Sequence, residues 1–301
     1  MNKTATLFAV LTLTSSIALA QGAKTDRADA GLVGPVKTVQ SRSVDYSGDK
    51  IVGEGFIKRE GDLVVYNPVG REIDRKPVSD FGQAMGTMSR KFDSQGRLAE
   101  SSWIDPKGTV LSKEIFIYLN GTLNEVQSYD GLGRLVETMV REYDSKGRLK
   151  AEVYVESGKP VARTIYSYAG TDVDLPSEIA FFRADGSKAT APVGPCLGAH
   201  RMKFDYNAKH QLAAKSVFEE NGNQKKSFKW TYDGQGNVAE YFGETTGSTV
   251  KCSYKYKLDS TGNWIEQITN CTSLEKGLTV FGHKSLPYVR STVTTREITY
   301  Y

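Results

Sequence analysis

The sequence predicts an all-β chain, a curved antiparallel β-meander built from YD-type hairpin repeats with a period of about 25 residues and two strands in each. Three observations predict it. A turn motif recurs, as FDSQGRL at Phe92 to Leu98, YDGLGRL at Tyr129 to Leu135, YDSKGRL at Tyr143 to Leu149 and YDGQGNV at Tyr232 to Val238. The aromatic that opens a turn returns at Tyr66, Phe92, Tyr118, Tyr143, Tyr168, Tyr206, Tyr232 and Tyr256, with most steps 24 to 26 residues. The stretches between turns alternate: Phe228, Trp230 and Tyr232, and then Cys252, Tyr254, Tyr256 and Leu258, fall on one face with Lys, Thr or Ser on the other. That is the period of a half-buried strand, and no helical period is sustained.

Taken in order, residues 1–20 carry Lys3, an uncharged run and Ala18-Leu19-Ala20, the pattern of a secretory signal with an A-x-A cleavage site. Residues 21–35 are small, polar and charged and read as a flexible lead-in. The repeat domain is 36–301, opening on strand-like Val36 to Val44. Secondary turns at Asp105 to Gly108, Glu156 to Gly158, Ala184 to Gly186 and Asn221 to Asn223 halve each repeat and leave strands of about eight to ten residues. Val136 and Val140 face away from Leu135 and Met139, so the sheet there is covered on both sides or curls. Residues 187–200, SKATAPVGPCLGAH, bring two Pro and two Gly where a turn is due and read as a loop insertion. The last alternating stretch, Thr292 to Tyr301, is placed to close or cap the sheet.

The turn chemistry explains the motif. In YDSKGRL a type I turn over Asp144, Ser145 and Lys146 followed by left-handed Gly147 makes a three-residue hairpin loop with a bulge. It closes Asp144 on Arg148 and sets Tyr143 opposite Leu149. The same reading gives Asp93 with Gly96, Asp130 with Gly133, Asp233 with Gly236 and Asp259 with Gly262 structural roles in their turns. His210 takes the Gly position in YNAKHQL. Each turn supplies one carboxylate, whereas a calcium loop needs several oxygens at short spacing, so no metal and no cofactor is expected.

Other chemistries are excluded by pattern. Thirty-nine basic and 35 acidic residues, interspersed, give a formal charge of +4 without the clustered stripe that nucleic acid requires. Gly131-Leu132-Gly133 has no following helix and cannot cradle phosphate. His200, His210 and His283 are the only histidines, with no zinc or nucleophile spacing around them, so no catalytic residue is assigned. Of the three cysteines, Cys252 and Cys271 flank a hairpin almost symmetrically, but with Leu258 opposite Trp264 they fall one residue out of register unless a bulge intervenes. Pairing of either with Cys196 stays open. Trp103, Trp230, Trp264, Tyr254 and Tyr256 are the candidate binding residues, an aromatic platform on which sugars could stack.

With these motifs on the page, the chain resembles the bacterial RHS, or YD-repeat, family, and in particular short secreted RHS-repeat proteins. The resemblance is carried by the turns above, by LVGPVKTV at Leu32 to Val39, by YKLDSTGNW at Tyr256 to Trp264 and by the closing REITYY. It implies a bacterial host and export to the periplasm, cell surface or exterior. Large relatives roll such strands into a shell around cargo, for which this chain is too short. The expected function is a non-enzymatic scaffold or binding module for a glycan, a cell-wall polymer or a protein met through a sheet edge. The alternatives are an outer-membrane β-barrel and a polysaccharide-active enzyme. Against the barrel stands the requirement for an apolar outward band, because Glu297 and Thr299 share the face of Tyr301.

Overall fold

The computed structural model describes residues 25–47, 50–51, 58–77, 85–170, 174–190, 199–275, 279–280, 283–284 and 288–301. The expected signal segment and Cys196 lie outside the described residues. A single helical turn, α1 (Asp26–Asp29), is followed by β1 (Val36–Ser47), β2 (Lys50–Ile51), β3 (Lys58–Tyr66), β4 (Glu72–Lys76), β5 (Thr87–Phe92), β6 (Leu98–Ile104) and β7 (Val110–Leu119). Then come β8 (Thr122–Asp130), β9 (Leu135–Tyr143), β10 (Leu149–Glu156), β11 (Lys159–Ser167), β12 (Glu178–Arg183), β13 (Arg201–Tyr206) and β14 (Leu212–Phe218). The chain ends with β15 (Gln224–Tyr232), β16 (Val238–Thr245), β17 (Ser248–Leu258), β18 (Trp264–Glu275), the small hairpin β19 (Thr279–Val280) and β20 (His283–Lys284), and β21 (Tyr288–Tyr300).

The all-β prediction holds, but the open meander does not. From β3 to β18 each strand pairs with the next, β21 then pairs with β18, and β1 pairs with both β21 and β3. The result is a closed antiparallel barrel of 18 strands; β2 pairs only with the end of β1, and β19 and β20 form a separate two-stranded hairpin. Closure is made by the chain's two ends. β1 and β21 run in register from Thr38 opposite Thr299 to Tyr46 opposite Ser291. An open sheet would leave a row of unpaired backbone groups at each edge, and closure removes both edges at once.

The hairpins follow the turn chemistry. Leu149 pairs with Tyr143 across a bulge, Asp144 N donates to Arg148 O at 2.9 Å, and Gly147 adopts φ 79°. His210, in the same place, reaches φ 60°. A link that spacing alone did not reveal joins one repeat to the next. Five opening tyrosines donate their hydroxyl to the carbonyl of an aliphatic residue 18 to 20 positions earlier. Tyr118 reaches Leu98 at 3.0 Å, Tyr143 reaches Leu123 at 2.6 Å, and Tyr168 reaches Leu149 at 2.8 Å. Tyr232 reaches Leu212 at 2.8 Å and Tyr256 reaches Val238 at 2.9 Å. Replacing Tyr143 by Phe deletes one such bond and should lower unfolding stability by about 1 kcal/mol in urea titration. An unchanged midpoint would show that the hydroxyl does not matter.

Pairing carries one face consistently round the ring. It holds Val64, Tyr66, Trp103, Val126, Glu152, Tyr166, Phe181, Met202, Val217, Phe228, Tyr241 and Cys252, whereas Lys203, Asp205, Lys229, Thr231, Lys255, Glu297 and Thr299 sit on the other. Most of the buried residues belong to the first set and the second set is exposed, so the first face is the concave one and lines the lumen. For a circular outline, 18 tilted strands make a wall about 35 Å across, too wide for side chains to fill. The wall is one layer thick with both faces accessible.

Two local cores stiffen it. Phe181, Ala199, Met202 and Val217 form one. Leu32, Val36, Val39, Val64 and Tyr66 form the other, under the N-terminal segment. That segment, read from sequence as a flexible lead-in, is tied down from Thr25 onward: Glu72 N donates to Asp26 Oδ2 at 2.8 Å, and buried Asn263 accepts from Val33 N at 2.7 Å while its Nδ2 donates to Val33 O at 2.8 Å.

Candidate functional site

Alternation on β15 to β18 delivers aromatics to the lumen one strand after another. Trp230 pairs with Tyr241, Tyr241 with Cys252, and Tyr254 and Tyr256 follow along the same face of β17. Tyr241 stacks on Phe228 at 6.2 Å with an interplanar angle of 16°, Trp230 lies 5.6 Å from Tyr241, and Tyr256 lies 6.2 Å from Trp264. Four of the five platform residues named from sequence, Trp230, Tyr254, Tyr256 and Trp264, are thus brought onto one wall. Trp103 is not among them. It faces the lumen from β6, nine strands round the ring from β15 in either direction.

The wall is polar at its edges. Tyr256 is engaged at both ends of its hydroxyl, donating to Val238 O and accepting from Gln267 Nε2 at 3.1 Å. Among the described residues, the hydroxyls of Tyr241 and Tyr254 and the indole N–H groups of Trp230 and Trp264 make no hydrogen bond within the chain. Half-buried rings with free donors at their rims can stack a sugar ring and bond its hydroxyls.

No family model matches the chain, and no curated protein matches it. Among solved structures it is similar to a porin-like protein from Bacteroides uniformis, at 12% identity and TM-score 0.40, over 88% of this chain and 98% of that one. A porin-like protein from Bacteroides vulgatus gives 11% identity and TM-score 0.35, over 86% and 97% of the two chains. A Photorhabdus luminescens Tc holotoxin pore gives 9% identity and TM-score 0.27, over 76% of this chain and 15% of that one. Likeness at this level says nothing of ligand or activity, and the site stands on its own residues.

The turn aspartates lie away from the wall and do structural work. Asp144 Oδ1 accepts the amides of Lys146 and Arg148, both at 2.9 Å, and its other oxygen takes Arg148 Nη2 at 2.8 Å. Asp93 with Arg97 and Asp130 with Arg134 repeat this. In Asp233 the arginine is replaced by Asn237 and in Asp259 by the Tyr300 hydroxyl. The Arg backbone amide holds the carboxyls of Asp93, Asp130 and Asp144 below their usual range. Arg97 and Arg148 also lie over the rings of Tyr118 and Tyr168, each at 4.3 Å, so the motif's Arg packs on the next repeat's Tyr. His200 is buried, with Nδ1 2.9 Å from Ala189 O and an edge contact to Phe182, which anchors the ends of the loop insertion.

The cysteine question is settled by the bulge between Lys257 and Leu258, which sets Cys252 opposite Cys271, and the two are bridged.

One further lumen feature escaped the sequence reading, because it depends on which strands become neighbours. Glu114, Ser128 and Glu137 stand in one row across β7, β8 and β9, with Glu156 of β10 beside them. Burial raises the carboxyl pKa of Glu114 and of Glu137, the latter helped by Glu156 and Glu114. Among the described residues no group of three or more His, Cys, Asp or Glu is placed to hold a metal. A carboxyl whose folded pKa is raised favours the fold while protonated, and that contribution is lost as pH rises through the folded value. Glu137→Gln should therefore raise the melting temperature at pH 7.5 and change it little near pH 4. A thermal scan showing no gain at pH 7.5 would refute this.

Proposed function

We propose that this chain is a hollow barrel of the bacterial cell envelope that admits saccharides to its lumen and binds them on the aromatic wall of β15 to β18, without catalysis. The observation that carries the reading is the wall itself: stacked and tilted rings on neighbouring strands, half-buried, with free hydrogen-bond donors at their edges. Its test is a glycan and cell-wall-polymer binding screen on detergent-free protein. Trp230→Ala and Trp264→Ala should each weaken the best ligand about tenfold, the loss of one stacking contact, and Trp103→Ala should leave it unchanged. A folded protein that binds nothing saturably would overturn the reading.

A lipid-spanning barrel is the second reading, and ring closure with an even strand number favours it. Ile117, Val136 and Val161 are exposed on the convex side of β7, β9 and β11, as lipid contact requires. The opposite arc is different, because Lys229, Glu240, Lys251, Lys255 and Glu297 all point outward there and are exposed. A Lys at the bilayer midplane costs about 2–4 kcal/mol, so this arc favours water on both faces. Stable, monodisperse protein without detergent supports the first reading, and spontaneous insertion into liposomes supports the second. Kinship with the RHS family is supported by the YD turns alone.

A further inference from the structure

Arg296 stands apart from the other arginines of the lumen face. Its neighbours on the same face pair off: Arg75 and Arg90 with Glu72, Arg141 with Glu152, Arg290 with Asp45. Arg296, in contrast, has no carboxylate and no hydrogen bond among the described residues, and its Nε is buried without a partner. Its guanidinium lies 3.4 Å over the ring of Trp264, the last ring of the aromatic wall. Tyr66 and Tyr256 flank it, and burial lowers its pKa to about 10. A half-buried cation without a counter-charge is costly, the ring of Trp264 offsets that cost only in part, and an anion would supply the rest.

We propose that Arg296, stacked on Trp264, is the anion-binding end of the aromatic wall and selects saccharides that carry a carboxylate, uronic-acid glycans in particular. This rests on the glycan-binding reading above and narrows it. With the guanidinium carbon over the indole ring and Nε buried, the two Nη groups are left to donate, and together they match the two oxygens of a carboxylate. The neighbouring rings at Tyr256, Tyr254 and Trp230 continue away from it along β17 and β15, so a bound chain would set its acidic residue on Arg296 and its further residues on the rings. Neutral sugars would use the rings and leave the cation unmet.

The test compares tetragalacturonate with its methyl-esterified form by calorimetric titration into the full chain, with the wild type, Arg296→Met, Arg296→Lys and Trp230→Ala. Arg296→Met removes an unpaired half-buried charge and so should fold at least as stably as the wild type, which a thermal scan checks. The expected result is that the wild type binds the free acid about tenfold or more tighter than the ester, that Arg296→Met abolishes this difference, and that Arg296→Lys restores it only in part. Trp230→Ala should weaken both probes alike. Equal binding of acid and ester by the wild type, with loss only in Trp230→Ala, would overturn the role of Arg296 and leave the aromatic wall standing. Absence of binding by either probe, with neutral oligosaccharides also failing, would overturn both.

Discussion

Glu152→Ala is expected to destabilise the barrel by about 3–5 kcal/mol, among the largest effects of any single lumen substitution. Glu152 is buried and is the hub of a closed network. Arg141 reaches its Oε1 through Nη2 at 3.0 Å, and the Tyr166 hydroxyl donates to Oε2 at 2.7 Å, with Tyr154 at 3.5 Å. Burial raises the hydroxyl pKa of both tyrosines, and the Glu152 charge raises it further, so they stay protonated and remain donors. Truncation would leave Arg141, itself only 14% exposed, as a buried cation with nothing opposite. The penalty is that orphaned charge more than the lost attraction, and a second substitution tests the distinction. Arg141→Met with Glu152→Leu should recover most of the stability, because apolar groups of similar volume replace a buried pair at little net cost. The measurement is the urea midpoint at constant slope. A loss below about 1 kcal/mol in Glu152→Ala, or no recovery in the double variant, would mean that the network is not held by its charge balance.

The contrast between what the sequence disclosed and what it hid follows from distance along the chain. Tyr143, Asp144, Gly147, Arg148 and Leu149 lie within seven positions, and the turn they make is a local matter of φ, amide donors and one carboxylate, so it could be read directly. Lumen and outer faces were also legible on β15 and β17, where aromatics alternate with Lys and Thr. Closure was not, because it depends on β1 meeting β21 across most of the chain, and alternation in Thr292 to Tyr301 is equally compatible with a capping edge. Trp103 shows the same limit within the candidate site: residue type placed it with the other tryptophans, and only the ring order sets it on the far wall. Arg296 opens the closing REITYY, but nothing in that motif marks it as a ligand-binding group. Its significance is that no acid faces it, a property of neighbouring strands that a single sequence cannot display.

Removing the Cys252–Cys271 bridge should cost about 3 kcal/mol, from closing a loop of 19 residues in the unfolded chain. The expected result is a lower urea midpoint for Cys252→Ser with Cys271→Ser, together with a single titratable thiol in the denatured, unreduced wild type, since two of the three cysteines are bridged. Three reactive thiols in that titration would refute the bridge. The consequence for the site is larger than the stability figure. Cys252 sits opposite Tyr241 and two residues before Tyr254 on the lumen face, and the bulge beside Leu258 that aligns it with Cys271 also fixes which way β17 faces. A slip of one residue between β17 and β18 would turn Tyr254 and Tyr256 outward and bring Lys255 and Lys257 into the lumen, because strand side chains alternate. The bridge forbids that slip covalently. Glycan binding by the double Ser variant should accordingly weaken even at temperatures where the barrel stays folded, whereas Tyr143→Phe, which loosens a hairpin on the far side of the ring, should lose stability and keep its affinity. If both variants bound as the wild type does, register would be held by the turn at Asp259 to Asn263 alone and the disulfide would serve stability only.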